Sequence, residues 1–257
     1  MAHTLDVPQV VEPTSAASKR KLSLVDHLDE LRGRLWRCIL TVALTTLVSF
    51  TRTHQLIAWL KAPAGAALPR LAFFSPAESL MAYLQVAVTA GIMLSMPVLL
   101  YQAWAFIRPA LTTREQRLGT IFIGWGSALF GLGIAFAYWM LLPVTLRFLL
   151  TFGTPELEPI ISVSQYLGFV TTLLLVSGAV FELPLVVFLL ASIGIVTPQQ
   201  LRRQWRVAYL AMVIGAAVLT PTPDAATMLL LTVPMLALYE FSIVVARLAV
   251  AMRRPHD

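Results

Sequence analysis

A single cysteine, Cys38, stands in 257 residues, so no disulfide can close within the chain and no cysteine-rich metal site can be built. In an apolar run its plain role is that of a small helix residue. Charge is scarce as well: Asp, Glu, Lys and Arg make up 12% of the chain against 58% hydrophobic residues, where soluble domains carry about 25% charged residues. That balance excludes an ordinary soluble globular protein, and no hydrophilic block is large enough to fold separately. Residues 1–22 (MAHTLDVPQVVEPTSAASKRKL) lack the continuous apolar core of a cleavable signal peptide and read as a disordered tail. Also missing are a Ser/His/Asp or Cys/His set, a Walker loop, a dinucleotide fingerprint and a second histidine at ligand spacing from His27. Enzymatic hydrolysis, nucleotide-driven work, a metal site and a cofactor are therefore not expected. The formal charge of +6 sits largely in short connectors between apolar runs and acts as a topology signal, with no nucleic-acid partner expected.

What is abundant is long apolar sequence. Runs near the bilayer length of about 20 residues fall at 35–50, 80–106, 118–142, 164–196, 207–220 and 225–246. They predict an all-α integral membrane protein with six transmembrane helices over 23–247 and a short cytoplasmic C-terminal tail, 248–257. Helix-start signals, Ser or Thr followed three residues on by Glu, Gln or Asp, support the segmentation at Ser23/Asp26, Ser75-Pro76/Glu78, Thr112/Glu115, Ser162/Gln165 and Thr197-Pro198/Gln200. With the N-terminus in the cytoplasm, 15 of the 19 basic residues fall on the inner side, leaving Arg52, Lys61, Arg70 and Arg147 outside. Both termini are thus expected in the cytoplasm. Prolines at 97, 184 and 234 each remove one helical hydrogen bond. Bent helices and a concave, cupped assembly follow, because unpaired carbonyls in lipid must face protein or water. The fifth run has 14 residues between Arg206 and Pro221, about 21 Å of helix, which predicts local thinning of the bilayer or a shallow placement.

Within this oil the charged residues are informative. Glu182, in SGAVFELPLVVFLL (177–190), lies about 22 Å along the helix from Thr197, near mid-membrane, where a charge costs about 2.5–3.5 kcal/mol or more. It is either a structural carboxyl bonded to a neighbouring helix or a polar spot in a wet hollow that a substrate, partner or proton meets. Glu240 invites the same question but lies nearer the cytoplasmic edge. SLVDHLDELRGRLWR (23–37) spaces Leu24, Leu28, Leu31 and Leu35 as an amphipathic turn or two at the cytoplasmic surface ahead of the first span. Glu30 there has an i,i+4 pair with Arg34 as its structural role, and His27 that of an interfacial side chain. In YQAWAFIRPALTTREQR (101–117), Thr112 and Glu115 form a capping box while Arg108, Arg114 and Arg117 satisfy the positive-inside tendency.

Taken together, HLDELRGRL (27–35), FFSPAESL (73–80), MPVLLYQAWAFIRPALTTREQR (96–117), FGLGIAFAY (130–138), FELPLV (181–186), LTPTPD (219–224) and LYE (238–240) occur in order through nearly all of 23–247. This ordered set resembles the TatC family, the multispanning receptor subunit of the twin-arginine protein translocase. The resemblance implies a bacterial inner-membrane receptor for folded precursors whose signal peptides carry paired arginines, without enzymatic activity, in which the proton gradient supplies the energy. It places Glu30 and Glu115 on the two arginines, with His27 and Arg32 beside them, and Glu182 on the concave face. Carboxylates suit that task, since a guanidinium's planar donors fork onto them as an ammonium cannot. Pro76, Glu78, Phe106, Pro109, Asp224, Thr227, Met228 and Glu240 fall at structural or partner-contact positions. Expected partners are the signal peptides, single-span TatA/TatB-type subunits, further copies of the chain within a hetero-complex, and lipid. One departure stands out: Met228 occupies a position where the family often has glutamine, so Thr227 and Thr232 are left to supply polar contacts. The competing reading is a proton-coupled carrier of a small solute using Glu182 and Glu240. Against it, no repeat relates the two halves, and neither carboxylate has an evident cationic partner at depth.

Overall fold

The computed structural model describes residues 15–67, 71–110, 113–151, 161–219 and 225–253. Among these residues the protein is all helical, without strands beyond one isolated parallel bridge, Ala72 to Ser162. The helices are α1 (Ser15–Thr51), α2 (Thr53–Lys61), α3 (Pro76–Ile107), α4 (Thr113–Phe136), α5 (Leu142–Thr151), α6 (Val163–Phe181), α7 (Leu183–Ser192), α8 (Pro198–Arg203), α9 (Trp205–Leu219) and α10 (Ala225–Arg253). Five stretches are long and apolar enough to cross a membrane: Asp26–Thr51, Pro76–Ile107, Ile121–Leu149, Val163–Ser192 and Met228–Ala251. Trp205–Val218, the fifth run of the sequence, is apolar but shorter.

Start signals succeed where connectors are true breaks. Thr197 and Gln200 form a reciprocal capping box, with Pro198 in the first turn of α8. Ser162 accepts from the amide of Gln165 at 3.3 Å. At α3, Pro76 opens the helix after Ser75, but the backbone amide that is capped belongs to Phe74, which donates to Glu78 Oε2 at 2.7 Å. The signal at Ser23/Asp26 is overridden, because α1 runs unbroken from Ser15 into the membrane span. Ala16, Ala17, Lys19, Arg20, Lys21 and Leu22 are good helix formers, so the helix starts inside the expected tail and runs continuously through the amphipathic stretch 23–37. Residues 1–14, Thr112 and Asp224 lie outside the described residues.

The three prolines do not act alike. Helix α3 continues through Pro97 and α10 through Pro234, each forgoing one backbone bond. Only near Pro184 does the rod divide into α6 and α7, at Glu182 (φ −77°, ψ −6°), whose amide steps back to Ala179 at 3.2 Å. A further irregularity has no counterpart in the sequence reading: Ala137–Leu141 is a π turn joining α4 to α5, closed by the Leu142 amide on the Ala137 carbonyl. It falls just ahead of Pro143, which has no amide to donate.

Small residues set the helix crossings, as they do where apolar side chains gain nothing by leaving lipid. Helix α1 packs on α3 at Gly91, whose carbonyl accepts from Thr45 Oγ1 at 2.8 Å. Helix α4 packs on α6 where Ser177 Oγ donates to the Gly133 carbonyl at 3.0 Å and Gly178 lies against the Phe130 ring. Around these crossings Val86, Leu141, Leu142, Leu167, Val170 and Leu231 form the main core. A smaller cluster, Phe188, Ala191, Ala246 and Ala249, joins α7 to α10. By contrast α1 leaves Leu35, Trp36, Ile39, Leu40, Leu44 and Leu47 exposed, the surface expected of a helix bathed in lipid.

At the end of the molecule holding α2, Glu78 ties two connectors together. Its carboxylate accepts from Phe74, from the Ser164 amide at 3.3 Å and from Ser162 Oγ. Tyr138 and Tyr166 donate to the Trp59 and Leu60 carbonyls, both at 2.9 Å. Glu78→Ala is expected to lower the thermal unfolding midpoint by several degrees, with Glu78→Gln intermediate because its amide keeps one acceptor oxygen. Equal midpoints for all three proteins would show that this knot carries no stability.

Candidate site at the α1 and α3 ends

At the opposite end, the first half of α1, around residues 27–34, meets the last turns of α3. His27, Glu30 and Arg34 follow one another at three and four residues and so share a helix face. Arg34 Nε donates to Glu30 Oε1 at 3.0 Å and Nη2 donates to the same oxygen, while Nη1 reaches Gln102 Oε1 at 3.4 Å. His27 stacks on Phe106 with centroids 4.3 Å apart and planes at 18°, and its Nδ1 lies 3.8 Å from Glu30 Oε2. The Glu30 side chain is 36% exposed and that of Arg34 18%, so the carboxylate lies outward of its cation. Gln102 is buried beneath them. The cluster thus presents an acceptor oxygen beside an aromatic stack, an arrangement that suits a cation with planar donors. Gln102 was not singled out in the sequence, although a lone amide in an apolar helix end was a signal.

The turn after α3, Arg108–Ala110, contains Pro109, which is exposed. Arg108 Nε donates to Gln116 Oε1 at 3.4 Å, and Gln116 Nε2 returns a bond to the Arg108 carbonyl at 3.2 Å. These bonds tie the first turn of α4 to the end of α3. Glu115 belongs to that first turn, but its side chain is outside the described ones. Arg32 is exposed.

Glu182 is 5% exposed, and among the described residues neither carboxylate oxygen has a hydrogen-bond partner. Gly126 of α4 makes room for it: a Cβ added there would lie 3.2 Å from Oε2. Beside Gly126 opens a groove of about 380 Å³ lined by Phe122 and Trp125 of α4, Pro184 and Phe188 of α7, and Phe241 of α10. Its lining is apolar apart from backbone.

Glu240 has a cationic partner in an exposed ion pair. Arg202 Nη1 donates to its Oε2 at 2.7 Å and Tyr209 donates to Oε1 at 2.8 Å, while Tyr239 donates to the Leu201 carbonyl at 2.7 Å. The partner comes from α8, 38 residues away, a separation that local spacing cannot reveal. Glu240 thereby fastens α8 and α9 to α10. Met228 packs against the main core, and Thr232 turns its hydroxyl to the Met228 carbonyl at 2.7 Å. The Thr227 side chain, like Asp224, is outside the described residues.

The sequence profile of the family described as Sec-independent protein translocase protein (TatC) matches residues 26–234. A Deinococcus radiodurans protein, Sec-independent protein translocase protein TatC, is 37% identical over 230 residues, covering 87% of this chain and 85% of that one. Its chloroplastic counterpart from Arabidopsis thaliana is 37% identical over 221 residues; they cover 86% of this chain but 65% of that protein, just under two thirds of its length. A crystal structure of a twin arginine translocase receptor, TatC, superposes with a TM-score of 0.75 at 34% identity, over 87% of this chain and 99% of that one. With its several membrane-spanning helices and this match over most of its length, the chain belongs to the TatC family of Sec-independent protein translocase proteins.

Proposed function

We propose that this chain is the receptor and core subunit of a twin-arginine translocase, binding the paired arginines of signal peptides on folded precursors. It acts without enzymatic chemistry of its own, together with single-span TatA/TatB-type subunits and further copies of itself, and export draws on the proton gradient. Six spans, with α9 the short fifth, leave both termini on the cytoplasmic side of a bacterial inner membrane. The observation that carries the reading is Glu30, which presents a partly exposed carboxylate beside the His27 and Phe106 stack. The tie between Arg108 and Gln116 holds the turn bearing Glu115 to the same helix end and supports convergence of the two acidic residues. The apolar part of a signal peptide would follow the cupped face past Glu182, where the groove by Gly126 offers matching surface.

The test is a folded reporter carrying either a twin-arginine or a twin-lysine signal, followed in cells whose only receptor is the wild-type chain, Glu30→Gln or Glu115→Gln. The receptor reading requires both substitutions to impair the twin-arginine reporter. Solute flux through liposomes containing this chain alone would instead favour the carrier. For Glu182→Gln, precursor binding is expected to persist while a later export step slows. Export at the wild-type rate would confine Glu182 to packing.

A further inference from the structure

Glu30 is not an empty acceptor. Two donors of Arg34 converge on its Oε1, whereas a guanidinium gains most from a fork that uses both oxygens of one carboxylate. With Oε1 taken, that fork is closed to any other guanidinium. Oε2 is the oxygen left open, and the 3.8 Å from His27 Nδ1 to it exceeds hydrogen-bond reach. We propose that Arg34 is an internal competitor for the ligand's arginine: it occupies Glu30 in the resting protein, and a visiting guanidinium gains the carboxylate as Arg34 leaves it. This rests on the receptor reading and adds to it the residue that sets the threshold for binding.

The geometry suits an exchange. The carboxylate is the more exposed member of the pair and the guanidinium the deeper one, so a ligand approaches from the solvent side without parting α1 from α3. Arg34 also has a second anchor, the buried Gln102 on α3, which keeps it at the site after it releases Glu30. The resident contact is an i,i+4 pair on one helix surface, a weak class of ion pair and hence displaceable. A competitor of this kind also sharpens selection. A ligand that displaces a guanidinium must replace two converging hydrogen bonds; arginine can do so with a planar fork, and lysine brings only a point charge.

The experiment uses the full chain in lipid nanodiscs and fluorescent signal peptides carrying Arg-Arg or Lys-Lys. Arg34→Gln is expected to bind the Arg-Arg peptide roughly two- to fivefold more tightly than wild type. It should gain more for Lys-Lys, so that the preference for arginine narrows. In a Glu30→Gln background the same substitution should give no gain. Arg37→Gln, which removes an equal charge from the same helix without freeing Glu30, should leave the preference unchanged. If Arg34→Gln inserts poorly, Arg34→Lys serves instead, with a smaller gain in the same direction. Binding equal to or weaker than wild type in these Arg34 variants, or a gain that persists without Glu30, would overturn the proposal. A Glu30→Gln protein that binds Arg-Arg like wild type would instead sink the receptor reading on which it rests.

Discussion

Glu30→Gln is expected to weaken binding of a twin-arginine peptide by about tenfold or more, the loss of one charge-assisted, forked contact. Glutamine keeps the length and one acceptor oxygen, so helix α1 and its packing on α3 should remain intact, and the defect should appear in affinity with no matching change in thermal unfolding. The loss should be smaller at high salt, where the wild-type contact is itself screened. For Glu115→Gln the receptor reading requires a loss of similar size. Both substitutions together should cost more than either alone, because each carboxylate serves a different arginine. A Glu115→Gln protein with wild-type affinity would leave the site with one acidic residue, too few for a pair of guanidiniums. Titration of the labelled peptide against each variant, at two salt concentrations, decides the matter.

Gly91→Ala is expected to be strongly destabilising, with the closest clash that a methyl group would meet at any of the ten described glycines. A Cβ at that position would come within 2.3 Å of Thr46 Oγ1 and 2.7 Å of both the Thr46 Cα and amide nitrogen. A hydroxyl can rotate away, but the backbone of α1 cannot, so the helices must separate. Overpacking of this kind costs about 1–3 kcal/mol, and separation also stretches the Thr45 bond to the Gly91 carbonyl. Among the described residues α1 packs mainly on α3, so this crossing carries most of its packing. Gly131→Ala provides the control, since a Cβ there meets nothing within 4 Å. Comparing the detergent-denaturation midpoints of the two variants checks the claim. Equal midpoints would mean that the α1 and α3 crossing has room for a methyl group.

The start signals at Ser162 and Thr197 were legible because a cap is a local bargain among residues three apart, and local geometry follows from local sequence. Prolines were less so. Each removes the same hydrogen bond, yet only the surroundings of Pro184 divide a helix, while α3 and α10 absorb theirs. The Glu30 pair with Arg34 was also readable, being one helical turn long. Its link to Gln102 was not, for it joins positions 68 residues apart.

The sequence by itself determined that this chain is helical and lives in lipid, because hydropathy and charge distribution act residue by residue and need no fold to be felt. It also marked where α3, α6 and α8 begin and which carboxylates would be costly to bury. Only the tertiary structure decided what each carboxylate meets. It brings Arg202 and Tyr209 to Glu240, surrounds Glu78 with the donors of two connectors, and leaves Glu182 against a glycine with no hydrogen-bond partner among the described residues. The reason is that the strength of a polar contact in an apolar medium depends on which helices cross and at what height, and those crossings are fixed by small residues such as Gly91 and Gly133 meeting neighbours far away along the chain.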